Sequence, residues 1–223
     1  MLKFDTPAQV TAVLDIPAGR IQLIAADRTD TTVEVLPANA AKSRDVKTAE
    51  QIEVSYSDGV LRIEAAEAQN RLLGHSGAVE VTVRLPAGSR IEAKAGGAEL
   101  RGVGRLGDVT FDGGYRSVKL DETAGARLTA HDGEITIGRL TGPAEINTQR
   151  GDIQITEATR GTVTLRTQQG DITVGAARGV SASLDAGTTY GRIHNTLNNT
   201  DGADAALTIH ATTDHGDITA RSL

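Results

Sequence analysis

The first feature of this 223-residue chain that could do chemistry is a recurring carboxylate. Glu134, Asp152 and Asp171 each follow a glycine in nearly the same short phrase: GEITI, GDIQI and GDITV. If these phrases stack as neighbouring strands about 4.8 Å apart, adjacent carboxylates repel by about 0.9 kcal/mol in water. Calcium, which takes oxygen ligands, would relieve that repulsion. So would Arg150, Arg160 and Arg178, which lie close in sequence. The calcium-binding nonapeptide Gly-Gly-x-Gly-x-Asp is absent. The simpler reading is that Asp after Gly steadies a turn with its short acceptor side chain.

Five histidines stand at 75, 131, 194, 210 and 215. His210 and His215, with Asp214 and Asp217 nearby, have the residue types of a zinc site. HATTDHGD reads as the two arms of a turn, so solvated turn residues are the simpler account. Polysaccharide cleavage needs convergent carboxylates, or a calcium site with a basic residue to take the proton. Asp112, Asp121, Glu122 and Arg116 are the residues that could supply such a groove. Serine-nucleophile, phosphate-loop and dinucleotide fingerprints are missing. The chain has no cysteine, which removes thiolate catalysis, disulfides and zinc-thiolate sites together. No catalytic residue and no cofactor is expected.

The elements that must position these groups follow from an internal repeat. TAHDGEITI, NTQRGDIQI, RTQQGDITV, TTYGRIHN and TTDHGDITA align on Gly133, Gly151, Gly170, Gly191 and Gly216. The spacing is about 18 residues at first and wider for the last two. Two places after each glycine stand Ile135, Ile153, Ile172, Ile193 and Ile218. Ahead of the glycine, Leu128, Ile146 and Leu165 share a column. Apolar residues two apart, with Thr, Gln and charged residues between them, indicate strands. Each unit then holds two strands and a shorter third side marked by Leu140, Ala158 and Ala177. Successive units stack in parallel, and only stacking can bury their inner faces. A hairpin sandwich would show mirrored patterns across each turn, not one word repeated in one direction. The fold expected is therefore all-β: a right-handed, single-stranded parallel β-helix (β-solenoid) with ~18-residue coils. The five isoleucines form a ladder inside it.

One domain is expected over 1–223, with irregular capping coils over 1–90 and regular coils over 91–223. In the first part, Tyr56-Ser57-Asp58-Gly59 reads as a tight turn. AKSRDVKTAE reads as a loop or a single helical turn, and Leu72 and Leu73 sit in a loop that covers a core end. The looser early coils and the polar C-terminal RSL read as caps, which predicts discrete particles rather than fibres.

Composition agrees with a narrow interior. Three Tyr, two Phe and no Trp leave Ile, Val, Leu and Ala to fill the core. Net charge is −6 and the 23 basic residues are scattered, which disfavours nucleic acid as a partner. Neither a signal-peptide core nor a membrane span is present, so a cytoplasmic location is expected.

LDIPAGRIQLIAADRTDTTVEVLPAN, SDGVLRI, VTVRLPAGSRIE, the repeated GDI units and the closing SLDAGTTYGRIHNTL…GDITAR together resemble a bacterial family. It is the adhesin-like β-strand-repeat domain of unknown function, in its actinobacterial form. The resemblance spans nearly the whole chain. It implies a single-chain β-solenoid and no assigned catalytic residues. The expected role is a non-catalytic scaffold or adhesin-like module that binds a protein partner or its own copies. The alternative is a carbohydrate-binding or polysaccharide-cleaving β-helix. Scarce aromatics disfavour the alternative, because sugars commonly dock on Trp and Tyr faces.

Overall fold

A computed structural model describes residues 1–65 and 77–223; Leu72, Leu73 and His75 lie outside them. The N-terminal part holds β1 (Leu2–Asp5), β2 (Thr11–Ala26), β3 (Asp30–Pro37), helix α1 (Ser43–Glu50), β4 (Ile52–Ser57), β5 (Val60–Ala65) and β6 (Val79–Pro86). The long strands β7 (Arg90–Tyr115) and β8 (Val118–Asp132) follow. Short strands then come in pairs: β9 (Ile135–Leu140) and β10 (Ala144–Arg150), β11 (Ile153–Ala158) and β12 (Gly161–Gln169), then β13 (Ile172–Ala176). The last are β14 (Ala182–Tyr190), β15 (Ile193–Thr196), β16 (Leu207–His215) and β17 (Ile218–Ser222).

These strands form two ladders joined at corners. β8, β10 and β12 pair in parallel along one ladder, and β9, β11 and β13 along the other. Alternation decides which side is dry. Ile153 and Ile155 of β11 are fully buried, while Gln154 between them is exposed. Residues from both ladders, from Val10 to Ile218, merge into one aliphatic core. The described residues are thus all-β apart from α1 and one short 3-10 turn, with parallel coils stacked as in a solenoid. Alternation and register break between Ile155 and Ala158, ahead of the residues expected to mark a third side, and the Ala177 N–H bonds the Ala158 carbonyl. Leu140 and Ala158 are the last residues of β9 and β11 and pair with each other in register.

Parallel stacking begins earlier than residue 91. β2 bends through a full coil and pairs with β7 from Thr11↔Arg90 to Ile24↔Val103. Its other side carries β5 and then β6. Beyond them the order turns antiparallel: β4 pairs with β5, β3 with β6 and β1 with β3. Asp58 and Gly59 join β4 to β5 with φ of 50° and 78°, the conformation of a two-residue hairpin turn. AKSRDVKTAE contributes the eight-residue helix α1, longer than the single turn expected. Asp45 of that helix is buried because its Oδ1 accepts the Ala78 N–H at 3.0 Å.

The coils do not all stack in chain order. The final coil, β16–β17, lies between β12–β13 and β14–β15. β16 pairs with β12 on one side and β14 on the other. β17 likewise lies between β13 and β15. Backbone bonds repeat this order: Gly170 N–H donates to the His215 carbonyl at 2.9 Å, and Gly216 N–H to the Tyr190 carbonyl at 3.0 Å. The terminal layer of the stack is therefore residues 182–196. Two sequence expectations change as a result. RSL does not cap the stack, because Arg221 pairs with Gly175 on one side and Thr196 on the other. Ile193 keeps its register opposite Ile218, but as the last member of the ladder it is 46% exposed rather than interior.

Candidate functional site

The corners explain the repeated word. Gly133, Gly151, Gly170, Gly216 and Gly191 stack in that order, each with a positive φ, and a Cβ on any of them would strike the carbonyl of the layer beneath. Three residues before each glycine except Gly133, where Ala130 stands, a threonine turns inward. Thr167 donates its hydroxyl to the Gly151 carbonyl at 3.1 Å, Thr213 to Gly170 at 3.0 Å and Thr188 to Gly216 at 3.1 Å. The aspartate after the glycine completes the clasp. Asp152 Oδ1 accepts the Asp171 N–H at 2.8 Å, and Asp171 Oδ1 accepts the Asp217 N–H at 2.7 Å. Asp217 Oδ1 then accepts the Arg192 N–H at 2.8 Å.

Each aspartate in the ladder thus bonds the layer above through one oxygen, a contact between coils rather than within the turn it follows. Glu134 is the exception, since its Oε1 accepts the Thr136 hydroxyl within its own coil. The arginines expected to neutralise the ladder go elsewhere. Arg150 pairs with Asp132 at 3.1 Å, and Arg160 donates to the Thr141 carbonyl at 3.1 Å. Among the described residues no three His, Asp or Glu side chains converge as metal ligands.

His210 and His215 share β16 but serve different neighbours. His210 Nδ1 lies 3.3 Å from Asp185 Oδ2. His215 stacks on Tyr190, with ring centroids 4.9 Å apart. Of the four residues considered for a polysaccharide groove, only Asp121 and Glu122 are neighbours, consecutive on β8 with Glu122 opposite Arg105 and Arg139. Asp112 sits on the β10 ladder, opposite Thr129. Asp121 belongs to the other ladder, held by Arg101 at 2.7 Å and by the Gly104 N–H at 3.2 Å. Arg116 occupies the corner beneath Gly133 with φ of 153°, a glycine-like backbone carrying a side chain. Sequence reasoning missed it as the first corner of the column. The signal was YRSVKL, in which Arg116-Ser117-Val118 stands where later coils read Gly-Asp-Ile.

The recesses are distributed along the stack. One of about 270 Å³ crosses β12, β16 and β14, lined by Thr164, Arg166, Asp185, His210 and Thr212. One of about 420 Å³ lies over the middle coils beside Arg90, Asp108, Arg127 and Glu145. Another of about 490 Å³ lies against β15 of the terminal layer, lined by Arg192, Ile193, His194, Asp217 and Thr219. β14 and β15 each pair on one side alone among the described residues. Their inward residues Leu184, Ala186 and Ile193 are only partly covered or exposed. The opposite end differs. There Phe4 of β1 and Tyr56 of β4 meet across the core with ring centroids 5.5 Å apart.

Comparison with curated proteins finds no match. Among solved structures, the chain is similar to a "putative adhesin" of Bacteroides fragilis NCTC 9343, at 14% identity and TM-score 0.46, covering 98% of this chain and 96% of that one. It is also similar to two proteins of Parabacteroides distasonis ATCC 8503, each covering 98% of this chain and 95% of that one with TM-score 0.47. One is a "putative adhesin" at 14% identity and the other a "Putative lipid binding protein" at 10%. The Toastrack DUF4097 profile matches residues 8–221. Strand stacking that runs from Thr11 to Ser222 coincides with that span, and the chain belongs to the Toastrack DUF4097 family.

Proposed function

We propose that this protein is a non-catalytic, adhesin-like interaction module whose working surface is the terminal layer, residues 182–196. One observation carries this reading: beyond Ala182, whose N–H is taken by the Asn198 carbonyl, both strands of that layer have no outer strand partner among the described residues, above an aliphatic column that continues to its last member. Such an edge is a template for pairing with another chain, and natural proteins usually cover it. Asp185 of this layer, with His210 of the layer beneath at 3.3 Å, supports recognition by polar contact at its rim.

Several finer statements belong to the same proposal. The whole chain acts as one rigid unit, of the actinobacterial type of its family. Its coils wind right-handed, by the general crossover preference. The partner is a protein or another copy, not nucleic acid, in keeping with a net charge of −6. The working location is the cytoplasm.

The enzymatic alternative is tested directly. Incubation with acidic polysaccharides is expected to release no unsaturated or reducing ends. Release of new ends that depends on Asp112 or Arg116 would overturn the non-catalytic reading.

A further inference from the structure

We infer that the recess across β12, β16 and β14 binds one tetrahedral oxyanion, a phosphate or sulfate ester on a side chain of the protein partner. The inference rests on the interaction-module reading and names the group that its rim recognises.

Strand register places the donors. Thr164, His210 and Asp185 stand side by side on β12, β16 and β14, and Arg166, Thr212 and Gly187 form the next row. Leu165 and Ala211, between the rows, are buried, so both rows face outward. Thr164, Arg166, Asp185, His210 and Thr212 border one space of about 270 Å³. A guanidinium fork, an imidazole and two hydroxyls therefore share it. Among the described residues Arg166 forms no ion pair. The carboxylate lining the recess is already engaged, since Asp185 Oδ2 lies 3.3 Å from His210 Nδ1. That contact makes Nδ1 the proton-bearing nitrogen, and Nε2 donates as well once the ring is protonated.

Gly187 is the second pointer. Glycine inside a strand weakens it and often marks a close approach by a ligand or another backbone. A Cβ on Gly187 would meet nothing within 4 Å, and its φ is not positive. Neither packing nor backbone thus calls for glycine there, and the space beside Thr212 stays clear.

The site takes one group, not a polyanion. Beyond Thr164 and Arg166 the same outward columns carry Glu145 and Asn147 on β10. Asp214 follows Thr212 on β16. These carboxylates repel a row of anions on either side. Donors set on two strands and in two rows suit the three free oxygens of an ester phosphate or sulfate better than the planar pair of a carboxylate. No Tyr, Phe or Trp lines the recess to dock a sugar ring, which favours a protein carrier over a glycan.

Nuclear magnetic resonance titration of the full chain with sulfate, at constant ionic strength, tests this. The His210 and Thr212 signals are expected to shift saturably, and Arg166→Gln should weaken binding about tenfold. Gly187→Asp sets a carboxylate in the clear space and should abolish binding while keeping the wild-type circular dichroism. Arg62→Gln, at an exposed arginine of β5, should change nothing. The charged groups facing His210 are Asp185 from β14, Arg166 from β12 and Asp214 on its own strand. Sulfate should bind more tightly at about pH 6 than at about pH 8, and His210→Phe should lose that difference. Methyl phosphate and methyl sulfate tell the two esters apart. Acetate binding as tightly as both would overturn the tetrahedral assignment, and a sulfated oligosaccharide binding more tightly than methyl sulfate would overturn the protein carrier. Shifts that do not saturate, or sulfate held equally by Arg166→Gln or Gly187→Asp, would mark an adventitious ion only and overturn the inference. A recess that binds no sulfate would leave the non-catalytic reading in place, which only polysaccharide cleavage overturns.

Discussion

The two ends of this molecule are built from the same kind of strand but are finished differently. At the N-terminal end the order turns antiparallel, helix α1 packs beside β3 and β6, and Phe4 meets Tyr56 across the core. Four of the five aromatic residues lie outside the regular stack interior, and two of them are used here. At the C-terminal end the parallel order runs to the last layer, where Ile193 is left exposed. A repeat cannot end itself, because each layer is dry only through its neighbour. The N-terminal sequence departs from the repeat and closes the column. The C-terminal sequence keeps the repeat and leaves it open.

That contrast can be broken by placing one charge at different depths of one column. Ile153→Asp puts an unpaired carboxylate among fully buried neighbours and should cost several kcal/mol, seen as a large fall in denaturant midpoint. Ile193→Asp belongs to the same column and should cost less than about 1 kcal/mol, because water already reaches it. Thr173→Asp, one residue outward from the column, should be nearly neutral. Equal losses for all three would refute the layer assignment. At the closed end, Phe4→Ala should cost about 2 kcal/mol, since the ring is only part-buried. Removing a corner acceptor is milder still. Asp171→Ala orphans the Asp217 N–H and should cost about 1 kcal/mol, whereas Glu134→Ala bridges no layers and should cost less.

The smallest effect concerns pH. Lys3 and Arg28 bond to the Asp30 carboxylate and hold its pKa below the ordinary 3.8. A lowered folded-state pKa contributes stability that is present above the unfolded value and lost as pH falls through the folded one. Acid should therefore loosen β1 through this group only below about pH 4, and Asp30→Asn should remove that pH dependence. Hydrogen exchange of the β1 amides reads it directly.

Much of the architecture was legible because it is periodic. Isoleucine two places after a corner glycine marks strands and corners without reference to anything distant. The aspartate's bond to the next layer was not legible, because the sequence suggested only a local turn contact. The order of the layers was not legible. Every layer carries the same Gly-led phrase, so the pattern is equally satisfied whether residues 207–222 lie outside 182–196 or beneath them. Only the wider spacing of Gly191 and Gly216, with the polar stretch HNTLNNTDGADAA near them, marked the place. The extra length lets the chain return one layer. Arg116 was hidden for a different reason: its corner uses the glycine conformation without glycine. The terminal layer as a site was also hidden, since exposure depends on which layer comes last.

Layer order is open to one direct measurement, made clean by the absence of native cysteine. Thr164 lies opposite His210, and His210 opposite Asp185, on three successive strands. Neighbouring strands bring Cα atoms within disulfide range, whereas strands two apart are about 9.6 Å away and beyond it. Oxidation of the double variant Thr164→Cys/His210→Cys should yield an intramolecular disulfide, and Thr164→Cys/Asp185→Cys should not. The reverse outcome would place the coils in chain order and contradict the terminal layer on which the proposed function depends.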